Sequence, residues 1–205
     1  MKLTEPERTR INEAVQHAES HTSAEIVVVI RGRSGSYDDV TLVGAVLAGL
    51  FGLWAVLFLD WEIDPLEVVP AVLIAGILGG LAARLIGPRL VSSSRRKEQV
   101  DDAALASFAR CGVHRTTGRT GVLIYVSSSE RLSRVLPDQG VIDAVPAAVR
   151  AEWRAKWAGV AANAETVAKL VEDMGERAGK FLPRAADDVD ELQSQPSQIS
   201  AVELS

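Results

Sequence analysis

The chain has 205 residues, room for one globular domain of ordinary size plus an insertion and not for two large domains. Its 27 acidic and 22 basic residues leave a net charge of -5, so no basic field exists to neutralise phosphates and nucleic acid is not an expected partner. The single cysteine, Cys111, excludes an intramolecular disulfide and a cysteine-built zinc site.

Met1 to Arg10 is polar and lacks the apolar core of a cleavable secretion signal. Thr4-x-x-Glu7 has capping-box spacing, and Ile11, Ala14, Val15 and Ala18 form one apolar stripe, which predicts a first helix ending near His21. Glu25 to Ile30 is a continuous β-branched run that suits a strand buried on both faces.

The next segment changes character. From Val40 to Leu59 no charge occurs, and a helix of that length reaches about 30 Å, the thickness of a bilayer's hydrocarbon. A second apolar run extends from Val68 to Ile86, with Arg84 near its end where the stem can snorkel. The short acidic connection around Pro65 makes the two runs, spans of about 40–59 and 68–86, an antiparallel transmembrane hairpin whose partner is the lipid bilayer. Residues 60–67 carry no cation, whereas Arg31, Arg33, Arg89, Arg95, Arg96 and Lys97 flank the spans on the other side. That asymmetry places both flanks, and hence both termini, in the cytoplasm. Gly44, Ala48 and Gly52, with Gly76 and Gly80, recur four apart and let helix backbones approach in lipid. They are expected to pack the hairpin on itself, with self-association of copies as the other use.

Beyond the spans, Val100, Ala104, Phe108 and Cys111 line a helix that Gly112 should stop. Thr120 to Val126 matches the first strand in character and should pair with it. Arg134 to Leu136 predicts a short third strand before a turn at Pro137-Asp138-Gln139-Gly140. A helix opening near Pro146 carries Val149, Trp153, Trp157 and Val160. A last one, capped by Asn163, should bury Val167, Leu170, Val171, Met174 and Phe181. Residues 184–205 read as a flexible acidic tail. Doubly buried strands interleaved with helices imply an α/β class, an α/β/α sandwich split in sequence into 1–39 and 92–183, with the hairpin in 40–91 inserted between.

The stretch Gly112-Val113-His114-Arg115-Thr116-Thr117-Gly118-Arg119-Thr120-Gly121-Val122-Leu123-Ile124-Tyr125-Val126-Ser127, with Glu130-Arg131 and Asp138-Gln139-Gly140-Val141, resembles the TPM domain. So do Thr22-Ser23-Ala24-Glu25-Ile26-Val27-Val28-Val29 and the closing Asp187-Asp188-Val189-Asp190-Glu191-Leu192. The resemblance implies an α/β/α sandwich of the kind found in bacterial membrane proteins and in a thylakoid-lumen acid phosphatase-like protein, and hence a bacterial inner (plasma) membrane location. It also implies calcium as a candidate cofactor, with Asp138 at the matching position, although the residues themselves call for none. Calcium takes six to eight oxygens, so Asp138 would need Asp38, Asp39 or carbonyls beside it.

Direct inspection for chemistry yields little. His17 and His21 are one turn apart with no third ligand in view and read as a solvated helix edge. Gly32-Arg33-Ser34-Gly35-Ser36 is too short for a phosphate-binding P-loop, and no Gly-x-Ser-x-Gly occurs. His114, Arg115 and Arg119 could hold a phosphate, or face anionic headgroups as loop cations. The expected function is therefore a non-enzymatic module that binds a protein partner or assembles with itself. The alternative is a weak metal-dependent phosphomonoester hydrolase using Asp138 with the His114, Arg115 and Arg119 loop, by analogy with the family.

Overall fold

A computed structural model of the chain describes residues 3–59, 64–160, 163–184 and 201–203. The chain divides into two compact units, Met1–Ser34 with Lys97–Ser205, and Gly35–Arg96. The division falls a few residues from the boundaries expected at 39 and 92.

The first unit is mixed α/β. In chain order it contains α1 (Glu5–Glu19), β1 (Glu25–Arg31), most of α4 (Ser93–Arg110), β2 (Gly121–Ser127), β3 (Leu132–Pro137), α5 (Gln139–Ala144), α6 (Ala147–Trp157), α7 (Ala164–Ala178) and the short β4 (Ala201–Glu203). The sheet order is β3-β2-β1-β4. β1 and β2 run parallel, Glu25 opposite Gly121 through Arg31 opposite Ser127, and β3 runs antiparallel to β2. Every residue of β2, and all of β1 except Arg31, is buried, as their unbroken apolar runs require.

Alternation along the strands feeds two separate cores. Ile26, Val28, Ile30, Val122, Ile124 and Val126 meet the apolar stripes of α1 and α7 with Trp153 and Trp157 of α6. Val27, Val29, Leu123 and Tyr125 meet Val100 and Ala104 of α4, with Cys111 and Val113 after it. Helices therefore cover both faces of the sheet. Gly175 lets α7 sit against the backbone of α1, since a Cβ there would fall 2.6 Å from Ala18 Cα. Arg10 bridges the pair through Glu172 at 2.9 Å and Glu165 at 3.3 Å.

Capping residues set several boundaries. Glu7 accepts the Thr4 N–H at 2.8 Å, Asn163 accepts the Thr166 N–H at 3.1 Å, and Gly112 at φ 66° ends the α4 segment in the left-handed region. Three expectations need correction. The segment after β3 is not only a turn: Asp138 caps the helix α5. Phe181 lies beyond α7 and is 37% exposed, because the helix closes at Ala178 and the chain turns toward the bridge between Thr22 and Pro183. Nor is the tail wholly irregular, since 201–203 pair in parallel with Val28–Ile30. The acidic stretch 187–192 and the connection at 60–63, including Trp61, lie outside the described residues.

The second unit holds α2 (Asp38–Phe58) and α3 (Pro65–Leu90). Asp64 caps α3 by accepting the Leu66 N–H at 2.9 Å, and Pro65 takes the first helical position, where a missing N–H costs nothing. Both helices are long and apolar enough to cross a membrane, with mean hydropathies of 2.3 and 2.1. Only 6% and 11% of those windows are buried, unlike the core helices of a globular domain. Leu42, Phe51, Phe58, Ile77 and Leu85 are among the large apolar side chains left exposed.

Candidate functional site

Of the candidate residues, Arg119 and Asp138 are brought together. Arg119 follows Gly118 with φ 52°, a conformation uncommon for a side chain larger than glycine. The loop is held by Thr116, whose carbonyl accepts the Arg119 N–H at 2.9 Å and whose hydroxyl accepts the Thr120 N–H at 3.0 Å. Arg119 then donates twice to the Asp138 carboxylate, Nη2 to Oδ1 at 2.8 Å and Nε to Oδ2 at 3.2 Å. The same Oδ1 accepts the Gln139 N–H at 2.8 Å, and the Asp138 N–H donates to the Gly121 carbonyl at 2.8 Å. Gly140 completes the junction: its N–H donates to the Arg119 carbonyl, and a Cβ there would fall within 2.9 Å of that oxygen.

Asp138 is 5% exposed and both of its oxygens are engaged, by a guanidinium fork and by a helix N-terminus. It thus joins β3, α5 and the loop entering β2. Asp138→Asn can keep the bond to the Gln139 N–H but puts an amide NH2 where an oxygen accepted from Arg119, so it should cost about 1.5 to 3 kcal/mol. Asp138→Ala loses the cap as well and should cost about 1 kcal/mol more. Urea unfolding followed by tryptophan fluorescence separates the two, and equal losses would contradict this assignment.

His114 and Arg115 lie on the 3-10 turn Val113–Arg115, both exposed, with the His114 ring stacked on Phe108 at 6.3 Å between centroids. No hydrogen bond joins either to Asp138. Asp38 and Asp39 open α2 in the other unit, where Ser36 donates to Asp38 at 2.7 Å and Arg95 grips Asp39 at 2.6 and 2.9 Å. Among the described residues, no group of three His, Cys, Asp or Glu side chains is placed to share a metal ion. His17 and His21 meet edge to face at 4.7 Å, with His21 Nδ1 2.8 Å from the His17 carbonyl.

The five small residues meet across the helix pair. A Cβ on Gly44 would collide with Ala83, one on Gly52 would fall 2.9 Å from Ala75, and Gly76 approaches the Ala45 carbonyl. Gly80 faces Ala45 and Thr41. Gly79, not singled out in the sequence, is as tight: a Cβ would overlap Ala48 and come within 2.7 Å of the Gly44 carbonyl. Ala75, Gly79 and Ala83 form a second row with the same spacing of four, so the signal was there to be read.

Sequence reasoning also missed a buried polar cluster at the carboxyl ends of the parallel strands. Ser34 Oγ contacts Tyr125 Oη and Ser127 Oγ, each at 2.7 Å, and Ser127 donates to Glu130. The Ser34 N–H donates to the same carboxylate at 3.2 Å. Ser127, Tyr125 and Glu130 are all buried. Burial pushes the Tyr125 phenol above its ordinary range, against the opposing pull of Ser34 and Arg31, so it stays neutral. These bonds fasten the segment after β1 to the β2–β3 turn.

Scanned against protein-family models and against curated proteins, the sequence finds no match. Among solved structures, the NMR structure of BA42 protein from the psychrophilic bacterium Bizionia argentinensis has a similar fold. The likeness covers 98% of this chain and 97% of that one at 20% identity, with a TM-score of 0.54.

Proposed function

We propose that this chain is a membrane-anchored module in which a TPM-like α/β/α sandwich, interrupted in sequence by a two-helix transmembrane hairpin, binds a protein partner or assembles with itself. Its place is the bacterial plasma membrane, with both termini cytoplasmic, as the arginine and lysine flanks favour. The observation that carries the reading is that few residues of α2 and α3 are buried, while most of their large apolar side chains are left exposed. Water would meet those side chains at about 25 cal/mol per Å², whereas lipid meets them without that penalty. The close glycine and alanine contacts supply the packing that holds helices together where no hydrophobic force acts between them.

The binding role is supported by how the polar candidates are used. Arg119 and the α5 terminus fill both oxygens of the Asp138 carboxylate, so that carboxylate's hydrogen-bonding capacity goes to the fold. Purified full-length chain in detergent, given p-nitrophenyl phosphate with calcium, is expected to release no phenolate beyond a protein-free control. Turnover that disappears in both His114→Ala and Asp138→Asn would replace the module by a hydrolase.

A further inference from the structure

The antiparallel register of β2 and β3 determines which backbone groups of β3 face outward. The Asp138 N–H bonds the Gly121 carbonyl, so Gly121 and Asp138 form a hydrogen-bonded pair. Such pairs alternate, which makes Leu136, Arg134 and Leu132 the members bonded to β2 and leaves Pro137, Val135 and Ser133 facing away. Pro137 fits that alternation, since it occupies a position whose N–H would have pointed off the sheet. β3 is an edge strand, and by this register the Ser133 and Val135 N–H groups and the Val135 and Pro137 carbonyls point away from β2, although Ser133 and Val135 as whole residues are only 4% and 5% exposed. The Ser133 carbonyl already accepts from Arg134 Nη1 at 2.9 Å.

A groove of about 740 Å³ follows this edge. Its wall on the α4 side is apolar, built from Leu105, Phe108, Leu132 and Leu136, with Leu105 58% exposed. The opposite wall carries Arg150 and Arg154 of α6, and Lys97 stands at the α4 end. Among the described residues none of these three cations pairs with a carboxylate. Arg150 and Arg154 donate through Nε to the carbonyls of Val145 and Arg150. The carboxylate in the lining, Asp138, is held by Arg119, and Asp101 of α4 is held by Arg134. In a chain of net charge -5, this groove is a local positive site.

We infer that the β3 edge groove takes an extended acidic segment of a partner protein as an added strand, its aliphatic residues toward α4 and its acidic residues toward Arg150 and Arg154. The inference rests on the protein-binding reading and gives it a site and a partner chemistry. Main-chain hydrogen bonds to Ser133, Val135 and Pro137 supply affinity, and alternate side chains read the two walls. Charge complementarity selects an acidic strand over a neutral or basic one.

The test selects a library of random octapeptides on the full chain in lipid nanodiscs. Recovered sequences are expected to alternate aliphatic with acidic residues. Their binding should weaken about tenfold or more with Val135→Pro, which removes an outward N–H without touching the β2 ladder. The double variant Arg150→Glu with Arg154→Glu should weaken it at least as much. Because Val135 is also a core residue, the surface double variant decides if the proline variant fails to fold. Recovery of no alternating acidic sequence, or undiminished binding to the folded double variant, overturns the site. Phosphate release by the same preparation would instead overturn the module reading, so the two failures are distinct.

Discussion

Leucine in place of Gly79 is expected to separate the two apolar helices. Even a Cβ at this position overlaps Ala48 Cβ and lies 2.7 Å from the Gly44 carbonyl oxygen, so the obstacle includes backbone that cannot rotate away. Overpacking of this kind costs about 3 kcal/mol, the upper end for cores. In lipid that loss bears directly on association, because packing is the main force between the helices. Cysteines at 45 and 80 would report it, since Ala45 Cβ lies 3.2 Å from where a Gly80 Cβ would stand, close to disulfide range. With Cys111 replaced by serine, oxidation should cross-link the pair in the parent and fail severalfold in Gly79→Leu. Equal cross-linking would mean that the close approach of α2 and α3 is unimportant.

The second large effect is expected at Trp157. Its side chain is 2% exposed in the core between the sheet and α1, α6 and α7, and its carbonyl accepts the hydroxyl of buried Ser133 on β3. Alanine leaves a cavity the size of an indole, and such truncations cost about 3 to 5 kcal/mol. For a chain of this length each kcal/mol moves the melting midpoint by about 2 to 4 °C, so a fall near 10 °C is expected by circular dichroism. A shift under about 2 °C would place Trp157 outside the cooperative core.

The elements legible in the sequence are those with a long, consistent apolar pattern, continuous or periodic. β1 and β2 stood out as runs of β-branched residues because a strand covered on both faces has no polar side to interrupt it. The stripes of α1 and α7 are readable from their helical period, and the two long apolar helices from sheer uncharged length. α5 was not, since six residues give too little periodicity, and Asp138 looks alike as a turn residue and as a cap. The polar cluster was invisible because Ser34 and Glu130 are distant in sequence and meet only when β1 and β2 align. Likewise nothing local marks Arg119 and Asp138 as partners; only the family resemblance groups them, as parts of one candidate hydrolase site. Nothing in the sequence singles out Arg150 and Arg154, because only the register of β3 sets a strand edge beside them.

The account stands on α2 and α3 lying in lipid. Membranes from cells expressing the full chain, washed with alkaline carbonate and centrifuged at high speed, test this directly. The protein should remain in the pellet and enter solution only with detergent. Release by carbonate alone as a folded, monodisperse species would contradict a bilayer-spanning hairpin.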